Sequence, residues 1–385
     1  MSEQKSKFST IFIVGLLNAI AINTGFSLVS MYAELYFHAS KIDIGMLSSV
    51  RALVSLIITV PLGMFSDKFG RKPAIVLSLS TGLIGLLTMF IAQDISMLII
   101  SSAISGIMWA TFGPSMQALI ADTTEPTKMG KLIGLYTIAP STGMFVGPFL
   151  CSVLLTFISI RDMFLLASVI SVIGLGLCII GIKASKKRFS TSGTMIDGLR
   201  SVLRNRNAMA TCLAASTFFF LNESVFTFYP VYALETLAQQ PAFISAAFTA
   251  RGLALLFSRT VSVTRIVDKI GEKKLILFAL FLPLTLVLML FTKDYLISAF
   301  LLILTGVAHG TIYPMGAMII NKSTTKSERG VANSVYTMLT NVTTMAGPIV
   351  VGIMTNFIGL AEIFSLLPII TMIGLLIALL YTKQV

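Results

Sequence analysis

Charge is what this sequence is short of. Charged residues fill 11% of its 385 positions, against about 25% in a typical soluble protein, too few to clothe a water-facing surface. Acids are scarcer than bases, 16 against 28, leaving a net charge of +12. Cysteine is rarer still. Cys151, Cys178 and Cys212 have no metal-ligand spacing and fall inside apolar runs, so no metal site is expected and they read as small core residues. There is no catalytic His–Asp cluster, no nucleotide loop and no soluble output domain. No loop is long enough to fold as a domain, so length excludes an enzyme domain, and no cofactor is expected.

What the chain has instead is apolar length. Hydrophobic residues make up 56% of it, and runs of about 20 residues, each able to cross a bilayer as a helix, recur throughout. About twelve are legible: 8–32, 44–66, 74–92, 96–118, 130–156, 163–182, 208–232, 243–266, 274–292, 295–318, 330–356 and 363–381. The first is too long for a signal-peptide core and no cleavage site follows it, so it reads as a membrane anchor. With the N-terminus in the cytoplasm, inner segments hold 22 of the 28 basic residues, which predicts a cell-membrane protein with both termini inside. The same asymmetry explains the positive charge as loops facing anionic lipid, without nucleic acid. Residues 183–207 break the rhythm with seven basic residues. They read as a cytoplasmic linker between a bundle at 1–182 and a bundle at 208–385, with a surface helix near Met195–Leu203.

Shifted by two hundred residues, the chain matches itself. Tyr32-Ala33 returns as Tyr232-Ala233, Arg51 as Arg251, and Gly106 as Gly306. Pro114 returns as Pro314, Tyr136-Thr137 as Tyr336-Thr337, and Gly147-Pro148 as Gly347-Pro348. The turn Asp67-Lys68-Phe69-Gly70-Arg71-Lys72 returns as Asp268-Lys269-Ile270-Gly271-Glu272-Lys273, one residue late. Two homologous halves in an apolar chain point to a transporter, because parallel repeats enclose a site at their interface.

The stretch Gly63-Met64-Phe65-Ser66-Asp67-Lys68-Phe69-Gly70-Arg71-Lys72 resembles the loop signature of the major facilitator superfamily. The resemblance extends over the whole chain, through span count and linker. It implies an all-α membrane fold of about twelve helices in two six-helix bundles. Physically, Gly63 would let helices approach, and Asp67 would accept hydrogen bonds from a neighbouring helix N-terminus. Gly70 would make the turn, and Arg71 and Lys72 would hold the loop at the inner face. The family places an acidic partner for Arg71 where Asp122 stands. The repeat maps that pair onto Glu272 and Lys322, both with reversed sign, and Asp67 onto Asp268.

On the fifth span, Gly134, Gly143, Gly147 and Pro148 are similar to the antiporter signature of proton-coupled exporters, and would pack tightly and bend that helix. The signature ends in a glycine pair, whereas Cys151-Ser152 stand here. The arginine that such exporters carry on the fourth span is Ser102 in this chain.

In this family the first, fourth, seventh and tenth helices line the central cavity. In register Asn23 pairs with Glu223, and Trp109 with His309. Glu223 is the only mid-span carboxylate, so it reads as a proton carrier or as structural partner to a membrane arginine. His309 titrates near neutral pH when unperturbed, or serves as a helix contact. Asn23, Arg51, Trp109, Asn222, Arg251 and Tyr313 are the candidate substrate-cavity residues. Arg51 and Arg251 lie in the outer thirds of the second and eighth spans, with Arg259 two turns deeper than Arg251. Such arginines need acceptors, from Glu34, Glu223, Glu235 or a substrate carboxylate, which favours anionic or zwitterionic substrates. The expectation is a monomeric exporter of small amphipathic molecules, driven by proton antiport and surrounded by membrane lipid. A proton-coupled importer is the alternative, and a membrane sensor or transferase the remote one.

Overall fold

The computed structural model describes residues 2–182, 200, 202, 204–325 and 329–381. Most of the expected linker and its surface helix lie outside the described residues. Twelve helices are long and apolar enough to cross a membrane. They are α1 (Phe8–Phe37), α2 (Lys41–Phe69), α3 (Arg71–Ile91), α4 (Ile95–Thr123), α5 (Leu132–Leu154) and α6 (Ile160–Gly181). The second set is α7 (Arg206–Glu235), α8 (Pro241–Val261), α9 (Glu272–Leu290), α10 (Tyr295–Ser323), α11 (Val331–Met354) and α12 (Leu360–Tyr381). The described residues contain no strand. This is an all-helical, multi-pass membrane protein. Side chains such as Ile57, Phe257, Ile180 and Leu380 stand exposed because lipid, not water, is their solvent.

The described residues fall into two compact units, one within 1–190 together with 240–249, the other within 191–239 and 250–385. A single cut between the sixth and seventh spans is expected from the repeat; by compactness, the first turns of α8 group with the first unit instead. Each unit has the same internal plan. In the first, α1 packs on α5 and α6; in the second, α7 packs on α11 and α12. These two, α1 and α7, are the most buried spans.

The repeat reaches down to single backbone bonds. Asp94 and Asp294 cap α4 and α10, accepting the N–H of Met97 at 2.9 Å and of Ile297 at 3.0 Å. His38 (φ 46°) and Ala238 (φ 51°) turn left-handed after α1 and α7. The residues that follow, Ala39 and Gln239, donate back to Ala33 and Ala233, a helix-ending pattern that normally selects glycine. Gly70 (φ 103°) and Gly271 (φ 81°) make the two tight turns, where a side chain would be strained.

The one-residue slip in the repeat has a structural cause. Between Arg251 and Asp268 lies Ser262–Ile266, a π-helix, whose wider turn absorbs one extra residue. Between Glu272 and Asp294 one residue is missing relative to Arg71 and Asp94, and there Leu282–Leu290 is a 3-10 helix. That form advances about 2.0 Å per residue against about 1.5 Å for an α-helix, so fewer residues cover the same height. The register closes again at Asp294.

Candidate functional site

In the first unit, Arg51 is buried between rings. Its guanidinium carbon lies 4.6 Å from the centroid of Phe26 and 5.6 Å from that of Trp109, and the two rings meet edge to face at 6.5 Å. The geometry is a cation held on π faces. Helices α2 and α4 meet closely here: a Cβ on Gly106 would stand 2.6 Å from the Arg51 carbonyl oxygen.

The second unit repeats the frame with different chemistry. Arg251 is 3% exposed. Its Nε donates to Thr305 Oγ1 at 3.1 Å and its Nη2 to Asn222 Oδ1 at 2.6 Å. The guanidinium carbon lies 5.7 Å from the Phe226 centroid, and the Glu223 charge acts on it. Gly306 again faces the arginine carbonyl, with the Arg251 Cγ 2.9 Å from where a Cβ would be. Asn222, expected against substrate, gives its amide oxygen to Arg251. The hydrogen-bond acceptors seen on Arg251 are an amide and a hydroxyl, where carboxylates are expected from sequence. In the first unit, Glu34 accepts from Lys41 at 2.8 Å.

The remaining candidates scatter by environment. Asn23 donates its amide back to the Ala19 carbonyl at 2.7 Å, within its own helix. Trp109 and Tyr313 are nearly half exposed. Glu223 is half-buried. His309 packs edge-on against Phe219 at 5.5 Å, with Phe218 at 6.1 Å. Phe26, Phe226 and Thr305 are absent from the sequence-based set. The repeat carried the signal for the phenylalanines, which stand three residues after Asn23 and Glu223.

At the ends of α3 and α9 the loop motif is built from ion pairs. Arg71 donates Nε to Asp122 Oδ2 at 3.0 Å, and Nη1 to Ser66 Oγ at 3.1 Å and to Asp67. In the second unit Lys322 Nζ meets Glu272 Oε1 at 2.6 Å; Asp268 is exposed. The adjacent lysines are equivalent too: Lys72 donates to the Ile179 carbonyl at 2.7 Å and Lys273 to that of Leu379 at 3.4 Å. Lysines there hold the last carbonyls of α6 and α12, a favourable place for a cation.

Asp67 accepts from Arg71. One expectation for this motif fails. A Cβ on Gly63 would meet nothing within 4 Å, because that end of α2 is exposed, so this glycine mediates no close helix contact.

The fifth-span motif is split. A Cβ on Gly143 would fall 2.5 Å from the Ala19 backbone, and one on Gly147 2.7 Å from Thr24 N, so both glycines seat α5 on α1. Pro148 follows within the helix, buried. Gly134 faces open space, since it precedes the break at Thr137 that separates Pro126–Tyr136 from Ile138–Leu154. Packing is therefore no reason for a glycine there. Cys151, standing where the signature has glycine, lies 3.5 Å from the Thr24 carbonyl and 3.7 Å from Ser27 Oγ.

Comparison with known proteins agrees with this architecture. A family model described as the Major Facilitator Superfamily matches residues 11–240 and 213–384. Multidrug resistance protein 1 of Bacillus subtilis is 25% identical over 321 residues, 82% of this chain and 82% of that protein. Tetracycline resistance protein, class G, of Vibrio anguillarum is 24% identical over 312 residues, 79% of this chain and 78% of the relative. Among solved structures, a nucleoside transporter superposes with a TM-score of 0.82 at 13% identity, covering 98% of this chain and 100% of its own.

Proposed function

Because this chain belongs to the Major Facilitator Superfamily, we propose that it exports small amphipathic organic molecules from the cell by proton antiport and alternating access. Its family and relatives are transporters, not enzymes. The outward direction draws support from relatives named for multidrug and tetracycline resistance, and from Gly143 and Gly147 seated on α1. The cell membrane, with both termini cytoplasmic, is the location that the basic residues favour.

One observation carries the coupling. Glu223 is the only carboxylate in the middle of a span, and its charge bears on Arg251. A carboxylate at that depth is costly and marks function. Protonating Glu223 removes the charge opposite Arg251, so proton binding alters the electrostatics of the substrate region. A ligand drives a conformational change only by its differential affinity for the two states. Glu223 supplies such a difference.

The test uses inverted membrane vesicles with an acidic interior. A transported compound added outside should release protons as it enters, and Glu223→Gln should abolish that release while leaving compound binding in place. Unchanged proton release by Glu223→Gln would remove Glu223 from the mechanism and leave His309 next in line. Uptake coupled to proton entry in right-side-out vesicles would reverse the direction and make the protein an importer.

A further inference from the structure

Where the chain enters α7 and leaves α12, the second unit holds a cavity of about 400 Å³, lined by Arg204, Asn205, Arg206, Asn207, Leu380 and Tyr381. Small-molecule sites span about 300–1,000 Å³, so it has room for a ligand. Arg206 begins α7 and Tyr381 ends α12. The cavity therefore lies at a membrane face, the inner one on the reading above.

The lining residues divide by what they already bind. Asn205 caps α7, its Oδ1 accepting the N–H groups of Asn207 and Ala208, both at 3.1 Å. Its amide donates to the Ser323 carbonyl, and Asn207 Nδ2 donates to Ser323 Oγ at 3.1 Å. The asparagines thus tie the start of α7 to the end of α10, and the cap answers two leading N–H groups of the helix from within. The arginines are placed differently. Arg204 and Arg206 are exposed, and the guanidinium carbon of Arg206 lies 4.3 Å from the Tyr381 ring centroid. Stacking on a ring orients a guanidinium plane yet leaves its N–H edge open, and that edge meets phosphate oxygens two at a time. Among the described residues, none that lines the cavity is acidic. Leu380, on the last turn of α12, is 72% exposed, at a surface where lipid is the solvent.

A general excess of basic residues at this face does not account for the arrangement. In the two-hundred-residue register Arg204 and Arg206 become Gln4 and Ser6, and Tyr381 becomes Gly181. Lys5 and Lys7 keep positive charge in the first half, but as point charges with no ring at 181. Charge is common to both halves; the arginine pair with its stacking ring belongs to the second.

We infer that this cavity binds the phosphate of an anionic phospholipid. Arg204 and Arg206 take the phosphate oxygens, and an acyl chain runs along Leu380. Basic pockets between spans at an inner face suit such headgroups. Free phosphate offers the same oxygens, and the exposed leucine beside the arginines favours the lipid as their source. The inference goes beyond the transport reading and needs neither its direction nor its coupling.

The test is native mass spectrometry of the full chain in detergent, with phosphatidylglycerol or phosphatidylcholine of the same acyl chains. The parent should hold phosphatidylglycerol about tenfold more tightly, the range of a charge-assisted hydrogen bond. Arg204→Ala combined with Arg206→Ala should bring the two lipids level. Arg206→Lys keeps the charge without the fork and should retain an intermediate preference, so the site stays testable if the double variant fails to fold. Tyr381→Leu removes the stacking ring and should lower the preference about two- to fivefold. As a charge-matched control, Lys269→Ala combined with Lys274→Ala removes two exposed cations outside the cavity and should leave the preference in place. Equal retention of both lipids by the parent would overturn the site, as would an arginine double variant that keeps the parent's preference. A lysine control that loses the preference as fully would overturn it too, by reducing the binding to diffuse surface charge. Inorganic phosphate that displaces phosphatidylglycerol at equal concentration would make free phosphate the ligand and overturn the lipid assignment.

Discussion

Arg51 and Arg251 stand at the same register position in two halves of one chain, and their surroundings have diverged. Arg51 lies against the faces of Phe26 and Trp109. Arg251 keeps the phenylalanine, as Phe226, but hydrogen-bonds Asn222 and Thr305 and lies within the field of the Glu223 charge. Their counterparts in the first half are Ile22, Ser105 and Asn23. The helix frame, down to the glycine facing each arginine carbonyl, is common to both. Duplication thus fixed the scaffold, while the acid, the second arginine and the histidine collected in one half. The halves share a fold and divide the chemistry.

The sharpest way to break that contrast is to remove each arginine in turn. Arg251→Ala leaves buried Asn222 and Thr305 without their hydrogen-bond donor and removes the cation in the field of Glu223, at a cost of about 3–5 kcal/mol. Arg51→Ala removes, with its other interactions, cation–π contacts that by themselves contribute about 0.5–2 kcal/mol. Thermal unfolding in detergent should rank Arg251→Ala below Arg51→Ala. Pairing Arg251→Met with Asn222→Leu should recover part of the loss, because replacing both partners by apolar groups is far cheaper than removing one. Equal melting temperatures for the two single variants would mean that the halves hold their arginines with equal strength.

The shared frame predicts a smaller effect with a graded outcome. A methyl on Gly106 meets the Arg51 carbonyl and then Val54, whereas on Gly306 it meets the Arg251 carbonyl and the Arg251 side chain itself. Backbone cannot step aside cheaply, so each glycine-to-alanine change should cost about 1–3 kcal/mol. Gly306→Ala should lie at the upper end and should also lower transport, since it displaces Arg251 from its hydrogen bonds. Melting curves and a transport assay on the same preparations separate the two effects. Identical behaviour of both variants would confine the difference between halves to polar side chains.

Much of this frame is legible in the sequence alone. Twelve apolar runs, a two-hundred-residue register and the loop signature suffice for the fold, because each rests on local pattern. What cannot be read there is anything that depends on helix rotation. Asn222 and Glu223 are neighbours in sequence, yet Asn222 is the one that hydrogen-bonds Arg251. The slip between Asp67 and Asp268 is visible as a number, but its cause is a π turn offset by a 3-10 segment, and neither has a sequence rule as firm as a proline or a glycine turn. Gly63 and Gly134 show the converse. A motif supplied them with a packing role, and open space beside both denies it.

The smallest expected effect lies at the ion pairs, where the halves carry opposite signs. Arg71 is shared among Asp122, Asp67 and Ser66, while Lys322 meets Glu272, with the lysine side chain 45% exposed. Partly exposed pairs contribute about 0–1 kcal/mol, small for stability but enough to shift two transport states that differ by a few kcal/mol. Glu272→Lys should slow transport by placing two lysines together, and adding Lys322→Glu should restore it, because the pair has simply been turned round. The matching swap in the first half, Arg71→Asp with Asp122→Arg, should fail. Reversing two members there sets the carboxylate introduced at position 71 against Asp67, which still requires a cation. Transport rates of the four variants, at matched expression, decide the matter. Rescue in both halves would reduce the first-half network to a simple pair, and rescue in neither would mean that position and shape, beyond charge, matter at both ends.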